Sequence, residues 1–435
     1  MHKDMNIYLK TFGCQMNVYD SETLVSMFLS SGDYQITESL EDANIIIVNT
    51  CSVREHAENR AKSFIGKLQK LKIKDKRIKI IVIGCFAQRA KDELKEKFPF
   101  IDIIIGPIEY EYLPEILKSE FGIGTTNFYT NFSNKVSAFV PIMTGCNNYC
   151  SYCIVPYVRG REKSRNINDI LNEIKTLLEN NVKEITLLGQ NVNSYFSEYV
   201  DTSTNQILIL KFSDVLEKVA NINKTKKFWV RFLTNHPKDM TLDIIEVIKK
   251  HPNISRHIHL PLQSGSNRIL KLMNRNYTVE KYIDLVKNIR KELPDISITT
   301  DLIVGFPTEK ESDFQDTLNA VKEIQFDAAF VFKYSPRKGT KAYELKDDVS
   351  KEEKEKRHFE LLKLCEQIAN KINKNYINSN LEVLITTKNG INKFIGKTLN
   401  NKTVEIKNNK NIVGEFLKVK IVDIKTYTLI GEISQ

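Results

Sequence analysis

Between residues 7 and 333, short apolar runs alternate with longer amphipathic stretches, a rhythm that confines the chain to parallel sheets covered by helices. In the first 120 residues the strand-like runs are Ile7–Leu9, Ile45–Val48, Ile80–Ile83 and Ile103–Ile105, with helical stretches such as Ser21–Leu29 and Glu55–Leu71 between them. From about residue 136 to 345 the rhythm repeats on a larger scale. Strands are expected at Phe139–Met143, Glu184–Leu188, Phe228–Leu233, His257–Leu260, Ile296–Val304 and Ala329–Lys333. Helices are expected at Ile167–Glu179, Asp214–Ala220, Leu242–Lys250 and Val279–Lys291. Six strands in that order predict a partial or complete (βα) barrel, with a doubly wound open sheet as the alternative. Almost every strand runs into a polar or Gly/Pro-bearing turn: TGC, LGQN, TNHP, LQSG, GFPT and YSP. In parallel α/β folds that carboxyl edge is where ligands bind.

The remainder changes character. Ser350–Lys374 reads as a charged helix with an apolar stripe at Phe359, Leu362, Cys365, Ile368 and Ile372. After it come short strands without helical period, LEVLITT, KFIGKTL, KTVEIK, FLKVKIVDI and TYTLIGE, which predict a small β-barrel or OB-like module. Residues 374–435 hold ten Lys against five Asp or Glu, so this tail carries +5 of a net charge of +10. The expected boundaries are 5–122, 132–363 and 374–435. With 41% hydrophobic and 27% charged residues, collagen-like and low-complexity chains are excluded. No apolar run reaches the roughly 18 residues of a membrane span, and MHKDMNIYLKTFG lacks the apolar centre of a signal peptide. A cytoplasmic location is therefore expected. In that reducing compartment the seven cysteines, an odd number, point to metal or redox chemistry rather than disulfides.

Six of the seven fall into two patterns. Cys14, Cys51 and Cys85 each follow an expected strand, at gaps of 37 and 34 residues, close to one βαβ unit. Three adjacent parallel strands would deliver three thiols to one sheet edge; three small core residues is the alternative. The second triple is Cys146-x3-Cys150-x2-Cys153. A closed zinc site needs four ligands, and no fourth Cys or nearby His completes the set. Three thiolates on a [4Fe–4S] cube instead leave one iron open to a small molecule. A zinc knuckle is the plainer reading of the same spacing.

The second motif resembles the signature of radical S-adenosylmethionine (SAM) enzymes, and the likeness extends along the chain. TFGCQMN (11–17), NTCSVREHAENR (49–60), GCFAQR (84–89) and GCNNYCSYCIVPYVRGREKSR (145–165) are similar to strings of the methylthiotransferase family. So are LGQNVNSY (188–195), NHPKD (235–239), HLPLQSGSNRILKLMNR (259–275), TDLIVGFP (300–307) and FKYSPRKGT (332–340). The resemblance implies an N-terminal Rossmann-like α/β domain, a central partial (βα)6 barrel of the TIM type and a C-terminal TRAM β-barrel. It implies two [4Fe–4S] clusters: an auxiliary one on Cys14, Cys51 and Cys85, and one on Cys146, Cys150 and Cys153 that binds and cleaves SAM. The implied reaction places a methylthio group on C2 of N6-dimethylallyladenosine at position 37 of tRNA, through a 5′-deoxyadenosyl radical. An unactivated aryl C–H needs such a radical, and the chemistry belongs largely to the cofactors.

Two branches of the family compete. The ribosomal-protein enzymes usually have Pro and Lys after the first cysteine, where Gln15, Met16 and Asn17 stand here. The threonylcarbamoyl-adenosine enzymes differ around Cys51 and after Cys153, where NTCSVREHAENR and IVPYVRGRE side with the dimethylallyl branch. A reading from another class is a non-catalytic Fe–S or zinc protein that binds RNA and senses redox state. Departures from the family pattern are Phe86, where Met is usual, and Thr308, where Gly usually follows GFP.

Further expectations are attached to single residues. Arg159, Arg161, Lys163 and Arg165 alternate, so an extended backbone would set them on one face for RNA phosphates. By resemblance Tyr152 lies against the SAM adenine, and Gly189, Gln190, Asn191 and Gly305 at strand ends contact SAM. His257 and His259 share one strand face and are expected in structural rather than catalytic roles. Cys365 is expected to pack in the core. The implied partners are the tRNA anticodon stem-loop, an electron donor such as flavodoxin or ferredoxin, and a sulfur donor, with the protein a monomer and no membrane contact.

Overall fold

A computed structural model describes residues 5–52, 55–123, 136–201, 206–223 and 225–434. Val53 and Arg54 of the NTCSVREHAENR string, the expected boundary at 132 and Gln435 lie outside the described residues. The chain divides into two compact units: among the described residues, 5–123, 144–149 and 153–163 form one, and the remainder from 136 to 434 forms the other.

In the first unit, β1 (Met5–Thr11), β2 (Tyr34–Ile36), β3 (Ile45–Thr50), β4 (Lys79–Gly84) and β5 (Ile103–Ile105) form one sheet. Its order is β2-β1-β3-β4-β5 and every pairing is parallel. The apolar runs are continuous because both faces are covered. Ile46, Val48, Ile80 and Val82 pack with Ala61, Ile65 and Leu68 of the helix Glu55–Lys74. Ile45, Ile47, Ile81 and Ile83 face the other way, against Leu24, Val25 and Phe28 of the helix Gln15–Leu29 and Leu117 of the helix Leu113–Phe121. Each such side chain contributes about 1.5–3 kcal/mol when fully buried. Because the order reverses between β1 and β3, this is a doubly wound sheet with its switch point there.

The second unit carries the six expected barrel strands: Ser137–Pro141, Glu184–Leu188, Trp229–Phe232, His257–His259, Ser297–Val304 and Ala328–Lys333. They pair in parallel in two groups of three, in chain order, and an isolated bridge joins Val230 of the third strand to Ile254, just ahead of the fourth. This is the partial barrel the rhythm predicts. The helices Ile167–Glu179 and Leu242–Lys250 fall where their periodicity placed them. An antiparallel hairpin, Phe196–Asp201 with Gln206–Lys211, was not foreseen. The long helix runs over Lys351–Lys374, burying Leu361, Cys365, Ile368 and Ala369. Phe359, expected in its apolar stripe, is exposed, because the buried face turns through Leu361 instead.

The C-terminal strands Asn380–Lys388, Lys393–Thr398, Thr403–Lys407, Phe416–Lys425 and Thr428–Ile433 close into a five-stranded barrel around Val383, Phe394, Val404 and Val419. Closure leaves no unpaired sheet edge. Arg231, buried in the (βα) strands, pairs with Glu184 and donates to the carbonyls of Thr398 (2.8 Å) and Leu399 (3.2 Å). Lys402 meets Asp327 at 2.7 Å. These buried charges fix the β-barrel to the strands beneath it.

Candidate metal centres and cofactor rim

In the first unit the thiols follow from the topology. Cys14 caps the helix that starts at Gln15, Cys51 directly follows β3, and Cys85 opens the short helix Cys85–Arg89 directly after β4. β3 and β4 are in register at Thr50 and Gly84, so Cys51 and Cys85 leave neighbouring strands at the same level. All three sit at the carboxyl edge, around the switch point where doubly wound sheets bind ligands. Two glycines permit the approach. A Cβ on Gly13 (φ +131°) would stand 2.7 Å from Cys51 Cβ, and one on Gly84 (φ +100°) 2.3 Å from the Thr50 carbonyl. Side-chain amides tie the loops together: Asn17 Nδ2 donates to the carbonyls of Phe12 and Thr50, both at 3.0 Å. Thr50 Oγ1 donates to Ile83 O at 2.6 Å.

Burial pushes the Cys85 thiol up to about 11, and the nearby Cys51 and Cys14 add to the shift. The Gly13–Cys51 approach and the Thr50–Gly84 register bring the three thiol-bearing loops to one sheet edge. Among the described residues no group of three His, Cys, Asp or Glu is arranged around a single ion. By its chemistry, a donor set of three thiols suits a multi-iron cluster with an open corner.

Arg159 was expected on an RNA-facing surface; the structure corrects this. Val155–Arg159 is a helical turn with Pro156 in its first positions, so the backbone is not extended there. Its Nε lies 3.3 Å from Cys85 Sγ, and its Nη2 donates to Asp20 Oδ2 at 2.7 Å and Asn17 Oδ1 at 3.2 Å. Burial opposes the charge, but Asp20, Cys85 and Tyr110 outweigh it and hold the guanidinium firmly protonated. Arg161 and Lys163 are exposed, whereas Arg165 pairs with Glu173 at 2.7 Å and donates to Pro141 O.

In the second unit, Arg275 is buried with Nη1 3.4 Å from Cys150 Sγ, Nη2 on Pro261 O at 2.9 Å and Nε on Tyr277 OH at 2.9 Å. Tyr152 packs against Ile269, Met273, Phe306 and Tyr334. The loops after Leu188 and Phe232 are stitched together: Val192 N donates to Thr234 O, and Asn193 exchanges two hydrogen bonds with the His236 backbone at 2.9 and 3.0 Å. This rim holds four buried polar atoms with no hydrogen-bond partner among the described residues: Gln190 Oε1, Asn191 Oδ1, Asn235 Oδ1 and His236 Nε2. Leaving such groups unmade costs about 1–3 kcal/mol each, which a polar ligand would recover. His236 is neutral: burial, then Arg275 and Lys238, push it down to about 2. Its Nδ1 accepts from Lys238 N at 3.2 Å, so its proton sits on the unpartnered Nε2.

Asn235 and His236 lie in NHPKD (235–239) and carry no expected role of their own. Their place at the carboxyl end of a barrel strand was the signal that marks them as site residues. Gly189 and Gly305 have packing reasons to be glycine, since a Cβ would lie 2.5 Å from Met143 Cγ and 2.2 Å from Lys354 Cγ respectively. Thr308 keeps the left-handed turn that glycine usually makes (φ +68°), clamped by Arg268 on its side chain and carbonyl and by Asp348 on its amide. Phe86 is wholly buried beneath Lys62 and Arg89. His257 and His259 both meet Thr299 Oγ1, at 2.9 and 3.0 Å, and His259 also faces Asp301, so they are structurally engaged. Cys365 is a core thiol, pushed up to about 12 by burial and then Glu366.

Six parallel (βα) strands, a Cys-x3-Cys-x2-Cys motif following the first of them in sequence, and a closed five-stranded barrel at the C-terminus are the marks of a radical SAM protein with a TRAM module. Residues 140–321 match the radical SAM superfamily, 6–106 the uncharacterized protein family UPF0004, and 374–434 the TRAM domain. The tRNA-2-methylthio-N(6)-dimethylallyladenosine synthase of Clostridium botulinum (strain Langeland) is 44% identical over 99% of this chain and 98% of its own. That of Thermodesulfovibrio yellowstonii is 43% identical, covering 99% of each chain. The chain belongs to the family of tRNA-2-methylthio-N(6)-dimethylallyladenosine synthases. The solved radical SAM methyltransferase TsrM of Kitasatospora setae shares the fold at 11% identity, with a TM-score of 0.55 over 78% of this chain and 77% of that one. Among the described residues no helix is long and apolar enough to cross a membrane.

Proposed function

We propose that the chain is a radical SAM enzyme that methylthiolates C2 of N6-dimethylallyladenosine at position 37 of tRNA, next to the anticodon. The observation that carries this reading is a second three-thiol set, Cys14, Cys51 and Cys85, on the carboxyl edge of its own sheet. SAM cleavage alone needs one open cluster; a separate sulfur source needs another. The proposed modules are residues 5–122 for the auxiliary centre, 132–363 for SAM chemistry and 374–435 for RNA binding.

Cys146, Cys150 and Cys153 would hold one [4Fe–4S] cluster and Cys14, Cys51 and Cys85 the other. When bound, the first supplies the electron that opens SAM to a 5′-deoxyadenosyl radical, and the second supplies the sulfur for the methylthio group. The chain's residues do the rest. Gln190 and Asn191 offer acceptor oxygens to the SAM ammonium end, Tyr152 offers a ring face, and Gly189 and Gly305 keep the strand ends narrow. Apolar packing around Tyr152 excludes water from a site where a carbon radical must survive. Exposed Arg161 and Lys163, with the basic C-terminal barrel, suit tRNA phosphates. An electron donor such as flavodoxin or ferredoxin and a separate sulfur donor are required, and the proposed form is a cytoplasmic monomer.

Anaerobic reconstitution tests the proposal. The loaded protein, reduced and given SAM, should release 5′-deoxyadenosine and convert dimethylallyladenosine in tRNA to its 2-methylthio form. Cleavage of SAM with no change in tRNA would move the substrate elsewhere, to ribosomal protein first.

A further inference from the structure

We propose that Arg159 is a positioning residue for the Cys14–Cys51–Cys85 centre: its fixed charge beside Cys85 raises that centre's reduction potential, and Asp20 limits the effect. The inference rests on the reading that these three thiols hold a [4Fe–4S] cluster.

A guanidinium with 4% of its side chain exposed, beside a carboxylate at 7%, is costly unless its charge is used. The apolar contacts of Cys85 with Ile154 and Val158 already hold this turn in place, so cohesion alone does not require an ion pair. The orientation is the informative part. Arginine usually grips a carboxylate with two parallel hydrogen bonds. Here only Nη2 reaches Asp20, and Nε is turned to Cys85 Sγ at 3.3 Å. A neutral thiol is a weak acceptor, whereas a metal-bound thiolate is a good one. Asn17 fixes this orientation: its Oδ1 accepts from Arg159 Nη2 (3.2 Å) while its Nδ2 is held by the Phe12 and Thr50 carbonyls. The cation therefore sits directly on one of the three ligands, Cys85.

Reduction adds one negative charge to such a cluster. A nearby cation and a hydrogen bond to sulfur favour that state, and an anion disfavours it. Arg159 and Asp20 must then act with opposite sign, which a purely structural salt bridge would not produce.

The experiment uses the full chain with Cys146, Cys150 and Cys153 replaced by Ala, reconstituted anaerobically and titrated with mediator dyes under electron paramagnetic resonance. Arg159→Gln should lower the midpoint and Asp20→Asn should raise it. Each should change the reduced-to-oxidised ratio roughly tenfold at fixed poise, about 59 mV for one electron. Identical midpoints, or shifts of the same sign, overturn the proposal. If Arg159→Gln loses its iron, Asp20→Asn decides alone: an upward shift supports the proposal, and no shift or a downward one refutes it. A parent protein that takes up no iron removes the three-thiol centre itself, and the proposal with it.

Discussion

Arg275 places Nη1 3.4 Å from Sγ of Cys150, with both side chains buried and the rest of the guanidinium spent on Pro261 O and Tyr277 OH. Its charge has no carboxylate among these partners. Burial opposes it, and Tyr277, Tyr152 and Cys150 hold it protonated all the same. On the proposed reading of Cys150 as a cluster ligand, a buried cation beside it would ease electron entry, and outer partners of this kind typically matter by 10–100-fold. Arg275→Gln should slow SAM cleavage by about tenfold or more with iron content unchanged, and Arg275→Lys should recover part of the loss. Equal SAM cleavage rates in wild type and Arg275→Gln would show that the contact only packs.

The two thiol sets should separate by function. Cys51→Ala should bind about four irons instead of about eight and still cleave SAM, but transfer no methylthio group. Cys150→Ala should lose SAM cleavage altogether. Iron assay and 5′-deoxyadenosine chromatography read both; loss of cleavage in Cys51→Ala would break the division of labour.

Acid should weaken the fold through buried neutral histidines. Burial, then His259 and nearby cations, hold His257 well below its usual value, and His236 is pushed down to about 2. The unfolded chain takes up these protons below about pH 6.5 while the native state does not, so stability is full above that pH and declines beneath it. The loss is about 1.4 kcal/mol per pH unit per group. Melting curves at about pH 7.5 and about pH 5.5 should show the drop, and His257→Asn should shrink it.

Thr308 offers a stabilising change. A β-branched residue at φ +68° is strained by about 1–3 kcal/mol. Thr308→Gly gives up the Arg268 hydrogen bond to Oγ1 yet should raise stability by about 1 kcal/mol, measured as an increase in Tm. A lower Tm would mean that the clamp by Arg268 outweighs the strain.

Legibility in the sequence followed the length scale of each signal. The barrel strands and the cysteines at strand ends were visible because burial on two faces leaves continuous apolar runs, and a βαβ unit sets a fixed spacing. Tyr34–Ile36 escaped because Tyr-Gln-Ile is not a continuous apolar run and two of its three residues are exposed, unlike the equally short edge strand Ile103–Ile105. Arg159 was misplaced because alternation was read where Pro156 starts a helical turn. His236 and Asn235 were passed over because an unpartnered polar atom is a property of three-dimensional packing, invisible in a string.

The central claim, methylthiolation of dimethylallyladenosine in tRNA, is tested most directly by nucleoside mass spectrometry of tRNA from cells lacking this gene and any paralogue. The account predicts that the 2-methylthio nucleoside disappears and N6-dimethylallyladenosine accumulates in its place, with the intact gene, but not Cys51→Ala, restoring the product. Persistence of the 2-methylthio nucleoside in those cells would contradict it.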